Sequence, residues 1–157
     1  YTSAIVFNGE GWALDVACGR GANTGYLASL GYRALGIDCS WEALSQARHQ
    51  LHGRSVHWLV ADFDQFFFAE NFFDVVVIVR FLDRKLTNAL VESLVPGGLL
   101  FHRTFNVNHL KNAPSFNSRF VLARGELLDL YDDLDIIDTN DDTDTTESLS
   151  FVLARHP

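Results

Sequence analysis

The stretch ALDVACGRGANTGYLASLG, residues 13–31, begins as a run of strand-forming residues, bends at Gly19 and Gly21, and continues with a pattern that favours a helix. A strand that enters a helix through a glycine loop is a common way to hold a nucleotide, because glycine lets the backbone approach a ligand closely. The same stretch places Asp15 four residues before Gly19. It therefore predicts a nucleotide site and leaves open which nucleotide is bound.

Strand-like runs recur along the chain at intervals of about 20 residues, and helical patterns lie between them. The runs cover residues 12–17, 33–37, 56–61, 73–79 and 98–105. Most are almost continuously apolar, as expected for strands that are covered on both faces. Parallel strands need crossover helices, so the pattern predicts a doubly wound, mostly parallel, Rossmann-like α/β sheet.

The rhythm changes near the C-terminus, where two strand-like runs, residues 133–139 and 148–155, are joined by NDDTDTTE. The joining segment has turn composition and no room for a helix, which predicts an antiparallel hairpin. The sheet would then have about seven strands. We expect one domain over residues 1–157, because this length suits one core, with a short or missing cover segment before the first strand.

Helix signals between the strands support this reading. In residues 40–53, Ser40 is expected to cap a helix whose apolar stripe includes Trp41 and Leu44. A second helical pattern runs over residues 83–98, until Pro96 and two glycines break it.

Composition limits the function classes. The formal net charge is −8, which argues against nucleic acid as a partner. No segment is long and apolar enough to cross a bilayer, so no membrane partner is expected.

Two cysteines, Cys18 and Cys39, suit a reducing cytoplasm. The histidines of residues 49–57 lack acidic or cysteine partners, so no metal is predicted, and the aromatic run of residues 63–73 suggests a homodimer surface.

Acidic residues follow the predicted strands at the edge where ligands bind in open parallel sheets. Asp38 ends the second strand, where a carboxylate can accept both hydroxyls of a ribose. Asp62 and Phe63 follow the third strand, where they suit an adenine amino group and an aromatic face. Asp15 would repel a pyrophosphate, but it could orient the loop or meet a cation. The set therefore favours S-adenosylmethionine, which has no phosphate, over NAD(P).

With these residues in place, the sequence resembles the class I S-adenosylmethionine-dependent methyltransferases, and most closely the small ones associated with tellurite resistance. LDVACGRGANTGYLASLG, GIDCS, VADFDQF, FDVVVIVRFLDR and LVPGGLLFHRTFN follow the order of that family's motifs. The resemblance implies a cofactor site made of Asp15, Ala17, Cys18, Gly19, Gly21, Asp38, Cys39, Asp62, Phe63 and Arg80. Ala17 stands where many members have the first glycine of the loop.

Methyl transfer needs an aligned acceptor and little water, and it needs a base only if the acceptor must lose a proton. The residues expected to act on the acceptor are Arg80, His102 and Arg103, at or near the ends of the fourth and fifth strands. Seven of the twelve basic residues lie between Arg80 and Arg124. We therefore expect a small, anionic acceptor that binds Arg80. Two other functions stay open: a non-catalytic, cofactor-binding domain that regulates a partner, and an NAD(P)-dependent oxidoreductase.

Overall fold

The computed structural model describes residues 8–141 and 146–157. The strands are β1 (Trp12–Val16), β2 (Arg33–Asp38), β3 (Val56–Val60), β4 (Phe73–Val79), β5 (Leu94–Phe105), β6 (Asp135–Thr139) and β7 (Leu149–Arg155). The α-helices are α1 (Ala22–Ser29), α2 (Trp41–Gln50), α3 (Thr87–Glu92), α4 (His109–Asn112) and α5 (Glu126–Leu130). Short 3-10 helices cover Arg84–Leu86 and Ser118–Phe120.

The seven strands form one sheet in the order β3-β2-β1-β4-β5-β7-β6. Strands β1 to β5 pair in parallel with one another. Strand β7 pairs antiparallel with both β5 and β6. The predicted fold class is confirmed, including the C-terminal hairpin. Strand order reverses between β1 and β4, so the crevice that binds ligands in such sheets lies beside β1.

The two faces of the sheet have separate cores, because successive side chains of a strand point to opposite faces. On the first face, Ala13 and Val75 pack with Leu27 of α1. On the second face, Leu14 packs with residues of α3 and α5, including Leu127. Buried strand residues on both faces explain why β1 and β4 are almost continuously apolar, with a single acid in each strand.

The connection between β3 and β4, residues 61–72, contains no helix, which corrects the expected strict alternation of strands and helices. Three phenylalanines of this connection, Phe63, Phe66 and Phe68, pack against the second-face core instead. Strand β3 is not covered on both faces either, since Leu59 and Val60 are exposed. The aromatic connection thus replaces a crossover helix and leaves the outer strand partly open.

Two helix expectations also need correction. The pattern over residues 83–98 divides into a 3-10 helix and α3, and Leu94–Gly98 already belongs to β5, where the pairing with β4 is irregular. In α2, Ser40 caps the helix by accepting from the Ala43 amide at 3.1 Å, as predicted. Trp41, however, is 71% exposed, because only the later positions of its stripe face the sheet.

Two features expected from the sequence fall on residues that the structure does not describe. The expected short N-terminal cover segment falls mostly on residues 1–7, and part of the acidic turn falls on residues 142–145, all of which lie outside the described residues. Within the described part of the chain, no helix has the length and apolar character needed to span a membrane.

Candidate active site

The glycine loop joins β1 to α1 through three residues with positive φ: Ala17 at 54°, Gly19 at 54° and Gly21 at 77°. The Gly21 amide closes the bend by donating to the Cys18 carbonyl at 2.9 Å. A Cβ on Gly19 would meet no heavy atom within 4 Å, so this side of the loop is open to a ligand. A positive φ at Ala17 gives a physical reason why a glycine suits that position.

Asp38, at the end of β2, holds the glycine loop directly. One carboxylate oxygen accepts from the Gly19 amide at 2.8 Å, and the other accepts from the Ser40 amide at 2.8 Å. An ionised carboxylate offers about four acceptor positions, so two remain for other donors. Asp38 can therefore fix the loop and accept the hydroxyls of a ribose at the same time.

Asp15 lies beneath the loop and is almost fully buried. Its carboxylate accepts from the Thr24 hydroxyl at 2.6 Å. Burial raises the pKa of Asp15 to about 6, a net value in which the bonds from Thr24 act in the opposite direction and the charge of Asp38 adds a smaller increase. Of the two roles considered for Asp15, this geometry supports orienting the loop, through the first turn of α1.

The two cysteines differ in environment. Burial, followed by the nearby charges of Asp15 and Asp38, raises the pKa of Cys18 to about 12, so this thiol stays protonated. Cys39 is exposed and immediately follows the ribose-binding candidate Asp38. Among the described residues, no group of three or more histidine, cysteine or acidic side chains is placed to hold a metal ion.

Asp62 and Phe63 follow β3 at the same edge of the sheet as Asp38, since Asp38 pairs with Val60 and its carbonyl accepts from the Ala61 amide at 3.1 Å. Asp62 is exposed, and its side chain accepts from the Asp64 amide at 3.0 Å. Phe63 is half-buried, with its ring centroid 5.4 Å from that of Phe81. The structure thus brings the predicted ribose and adenine residues to neighbouring strand ends.

Two residues that support the loop were not predicted from the sequence. Thr24 bonds Asp15, and Trp58 of β3 packs under the loop, where it would clash with a Cβ on Gly21. The sequence signal was Gly36 inside β2, since an isolated glycine in a strand marks a close approach. A Cβ there would lie 2.7 Å from Trp58 and 2.8 Å from both Cys18 and Thr24.

Arg80 follows β4, and Arg103 lies on the neighbouring strand β5, two residues before its end at Phe105. The Arg80 amide donates to the Arg103 carbonyl at 2.8 Å, and Arg80 adopts a φ of 57°. Both side chains are exposed, and neither makes a hydrogen bond or ion pair within residues 8–141 and 146–157. In the described part of the chain, Arg80 forms no ion pair with Asp62 or Asp83, the acids of the connections after β3 and β4.

Arg84 also belongs to the basic segment between Arg80 and Arg124, but its guanidinium already has partners inside the protein. Its guanidinium forms a two-point ion pair with Glu126 of α5, and it donates to the carbonyls of Arg119 and Val121 at 2.8 and 3.1 Å. Arg84 therefore ties the segment after β4 to the loop after β5.

His102 is buried, and both ring nitrogens have partners inside the protein. Nε2 lies 2.8 Å from the Phe81 carbonyl, so it carries the proton and donates, and Nδ1 accepts from the Tyr131 hydroxyl at 2.8 Å. Burial lowers the pKa of His102 to about 4, so the ring is neutral near pH 7. This environment supports a structural role, and we leave His102 out of the acceptor site proposed below.

Together, these residues suit a ligand that combines hydroxyl groups, an aromatic base and positive charge. Carboxylates stand at the ends of β2 and β3, the open side of Gly19 admits close approach, and a third carboxylate, that of Asp15, lies below. A pyrophosphate would meet these negative charges at the position where it needs donors. The residues present therefore fit S-adenosylmethionine better than a dinucleotide.

Comparison with known proteins agrees with this assignment. Residues 13–98, more than half of the chain, match the family described as "Methyltransferase domain". The ubiquinone biosynthesis O-methyltransferase of Thiobacillus denitrificans is 33% identical over 103 residues, which cover 60% of this chain. The match spans 44% of that relative's length.

Solved structures share the fold across almost the whole chain. An S-adenosylmethionine-dependent methyltransferase from Mesorhizobium loti aligns with a TM-score of 0.81 at 16% identity, covering 97% of this chain and 94% of that one. The N-methyltransferase NodS from Bradyrhizobium japonicum aligns at 0.74 with 23% identity, covering 94% and 86%; it is also known in complex with S-adenosylhomocysteine. The cofactor is S-adenosylmethionine, as predicted, and the chain belongs to the methyltransferase domain family.

Proposed function

We propose that this chain transfers the methyl group of S-adenosylmethionine to a small acceptor that carries a negative charge. The observation that carries the proposal is two exposed arginines on adjacent strands, Arg80 just after β4 and Arg103 two residues before the end of β5. Strand β4 adjoins β1 and β5 adjoins β4, so Arg80 lies one strand and Arg103 two strands away from the glycine loop, on the β4 side of the switch point of the sheet. Two planar guanidinium groups suit a carboxylate or a similar anion.

Bound S-adenosylmethionine supplies a methyl group on a sulfonium, which is already an activated leaving group. The residues of the chain then have three tasks. Asp38 accepts the ribose hydroxyls and keeps the loop closed around Gly19, and Asp62 with Phe63 holds the adenine. Arg80 and Arg103 bind the anionic end of the acceptor, which aligns its attacking atom. We assign no base, because one is needed only for an acceptor that must lose a proton.

The test measures release of S-adenosylhomocysteine from matched acceptors, each a small phenol or amine that carries either a carboxylate or the corresponding carboxamide. We expect the carboxylate to be preferred by about tenfold or more in kcat/KM, the usual effect of a hydrogen-bonded charge. Arg80→Ala should abolish the preference, and the affinity for S-adenosylhomocysteine, measured on the same variant, separates a lost acceptor contact from a lost cofactor contact. Arg48→Ala serves as the matched control, since Arg48 is exposed at the far end of α2.

Equal rates on carboxylates and carboxamides would contradict the anionic acceptor. Calorimetric binding of S-adenosylhomocysteine without turnover of any acceptor would instead support the alternative of a non-catalytic, cofactor-binding domain that regulates a partner.

The tellurite-associated resemblance and the homodimer expected from the sequence stay predictions. Chalcogen oxyanions can be included in the acceptor panel, because they carry the same negative charge as the carboxylates.

A further inference from the structure

The two outer strands of the sheet differ in how they are protected. Strand β6 carries two exposed acids, Asp135 and Asp138, and its pairing with β7 is irregular between Ile136 and Asp138. Charges and bulges of this kind keep a sheet edge from pairing with another chain. Strand β3, with the sequence VHWLV, has no acid, lysine or proline and pairs regularly with β2 along its whole length. The β3 edge therefore lacks the protection that β6 has.

The outward backbone groups of β3 can be identified from its bonds to β2. The Ser55 carbonyl accepts from Ala34, and the Ala61 amide donates to Asp38, so odd-numbered residues bond inward. Bonding alternates along a parallel strand, which leaves Val56, Trp58 and Val60 facing outward. These three are unpaired on that side within the described residues, apart from the Val56 amide, which donates to the Arg54 carbonyl.

Apolar side chains accompany this edge. Leu59 is 36% exposed and Val60 is 44% exposed, and Phe67 of the following connection is 92% exposed. Large apolar side chains scattered singly need no explanation, but here Leu59 and Val60 lie on an unprotected strand and Phe67 lies in the connection that follows it. Pairing along β3 would remove both the backbone groups and part of this apolar surface from water.

We propose that the β3 edge pairs antiparallel with β3 of a second copy of this chain, about a two-fold axis at Trp58. This register overlaps the whole strand, with Trp58 opposite Trp58 and Val56 opposite Val60 of the second copy. The Trp58 amides and carbonyls bond reciprocally, and each Val60 amide donates to a Val56 carbonyl. These are the groups that the bonds to β2 leave free, so the edge is complementary to itself, as a two-fold interface requires.

Charge complementarity favours a second copy as the occupant. Extending this register beyond the strand brings Arg54, in the bend before β3, towards Asp62 of the second copy, in the connection after its β3, and symmetry repeats the pair. Both side chains are exposed; in one copy Arg54 also donates to the Gly25 carbonyl at 3.4 Å, and Asp62 accepts from the Asp64 amide at 3.0 Å. Each copy carries a net charge of −8, so association needs local compensation, which these two pairs provide. A single strand pair is a small interface, so the dimer should be weak and dependent on concentration.

The experiment is sedimentation velocity of the chain without cofactor, from about 1 µM to about 100 µM, the range in which weak complexes form. We expect a monomer–dimer equilibrium for the unmodified chain. Val60→Pro removes an outward N–H that β2 does not use, and it should leave a folded monomer by circular dichroism. Val60→Thr, which keeps the N–H, is the matched control and should still dimerise.

Charge reversal gives a second, independent arm. Arg54→Glu should weaken dimerisation about tenfold, because it sets two acids against each other at two positions. Adding Asp62→Arg should restore the dimer. A monomer at every concentration, a Val60→Pro variant that still dimerises, or a charge reversal without rescue would each overturn the proposal. None of these readouts depends on methyl transfer. Asp62 is also the proposed adenine residue, so its variant is tested only without cofactor, and Val60→Pro lets the dimer and the proposed function fail separately.

Discussion

The buried carboxylate of Asp15 sets a dependence of stability on pH. Burial raises the pKa of Asp15 to about 6 from an ordinary value of 3.8, so the folded state holds a proton that the unfolded state releases. The stabilisation is fully present below about pH 3.8 and is lost as the pH rises through about 6. The loss is on the order of 3 kcal/mol, since each pKa unit corresponds to about 1.4 kcal/mol.

We therefore predict that Asp15→Asn raises the free energy of unfolding at pH 7.5 by about 1–3 kcal/mol, because the buried group can no longer ionise. An asparagine carbonyl can still accept from the Thr24 hydroxyl. The gain should vanish at pH 4, where Asp15 is neutral in the folded protein. Urea unfolding at the two pH values measures it, and an equal effect at both would contradict the assigned pKa.

The acidic residues of the site could be predicted from the sequence, but their hydrogen-bond partners could not. Asp15 and Asp38 could be assigned because strand ends and glycine loops fix where a carboxylate must lie. The bond from Thr24 depends on how α1 is rotated over the sheet, which local sequence does not determine. The ion pair of Arg84 could not be predicted either, because Glu126 lies 42 residues away in the sequence and no pattern near Arg84 indicates it.

Between elements, His102 connects three parts of the fold. It lies on β5, donates to the carbonyl of Phe81 in the segment after β4, and accepts from Tyr131 at the end of α5. The neutral ring is required for this arrangement, because a protonated Nδ1 could not accept from the Tyr131 hydroxyl. Burial lowers the pKa of His102 to about 4 from 6.5, so its contribution is present above about pH 6.5 and is lost as the pH falls through about 4.

We predict that His102→Leu lowers the free energy of unfolding at pH 7.5 by about 2–4 kcal/mol, because it leaves the part-buried Phe81 carbonyl and the buried Tyr131 hydroxyl without partners. Adding Tyr131→Phe removes one orphaned group, so the double variant should be destabilised by about 1 kcal/mol less than the sum of the two single variants. Urea unfolding of the four proteins gives this coupling. Strict additivity would show that the two side chains do not interact.

The elements themselves could be predicted where the pattern is strong. Strands β1, β2 and β4 fall close to the predicted positions because they are buried and apolar on both faces. The connection after β3 could not be predicted, because a run of phenylalanines suits a packed loop as well as a helix or strand. The helical pattern over residues 83–98 includes Leu94, but in the structure Leu94 begins β5. Its pairing with Phe73 of β4 outweighs the helical periodicity.

Across the whole molecule, topology brings distant residues to one edge of the sheet. The glycine loop and Asp38 lie at the ends of β1 and β2, and Arg80 lies at the end of β4. Because strand order reverses between β1 and β4, helices leave the sheet in opposite directions there and a crevice opens between them. The sequence predicted this edge because a glycine loop and acidic residues follow its strands, whereas the self-complementary β3 edge became visible only from the hydrogen bonds of the folded chain.

If this crevice binds an adenosyl ligand, occupancy should stabilise the entire fold. Saturation with S-adenosylhomocysteine at 100 times its Kd should add about 2.7 kcal/mol, which raises the Tm of a chain of this size by roughly 5–10 °C. Protein concentration must be held constant, since dimerisation also changes Tm. NADH at the same concentration should leave Tm unchanged, because its pyrophosphate would meet Asp38 and Asp15. Asp38→Asn, which has one acceptor oxygen instead of two, should lose more than half of the shift; an undiminished shift would place the ligand elsewhere.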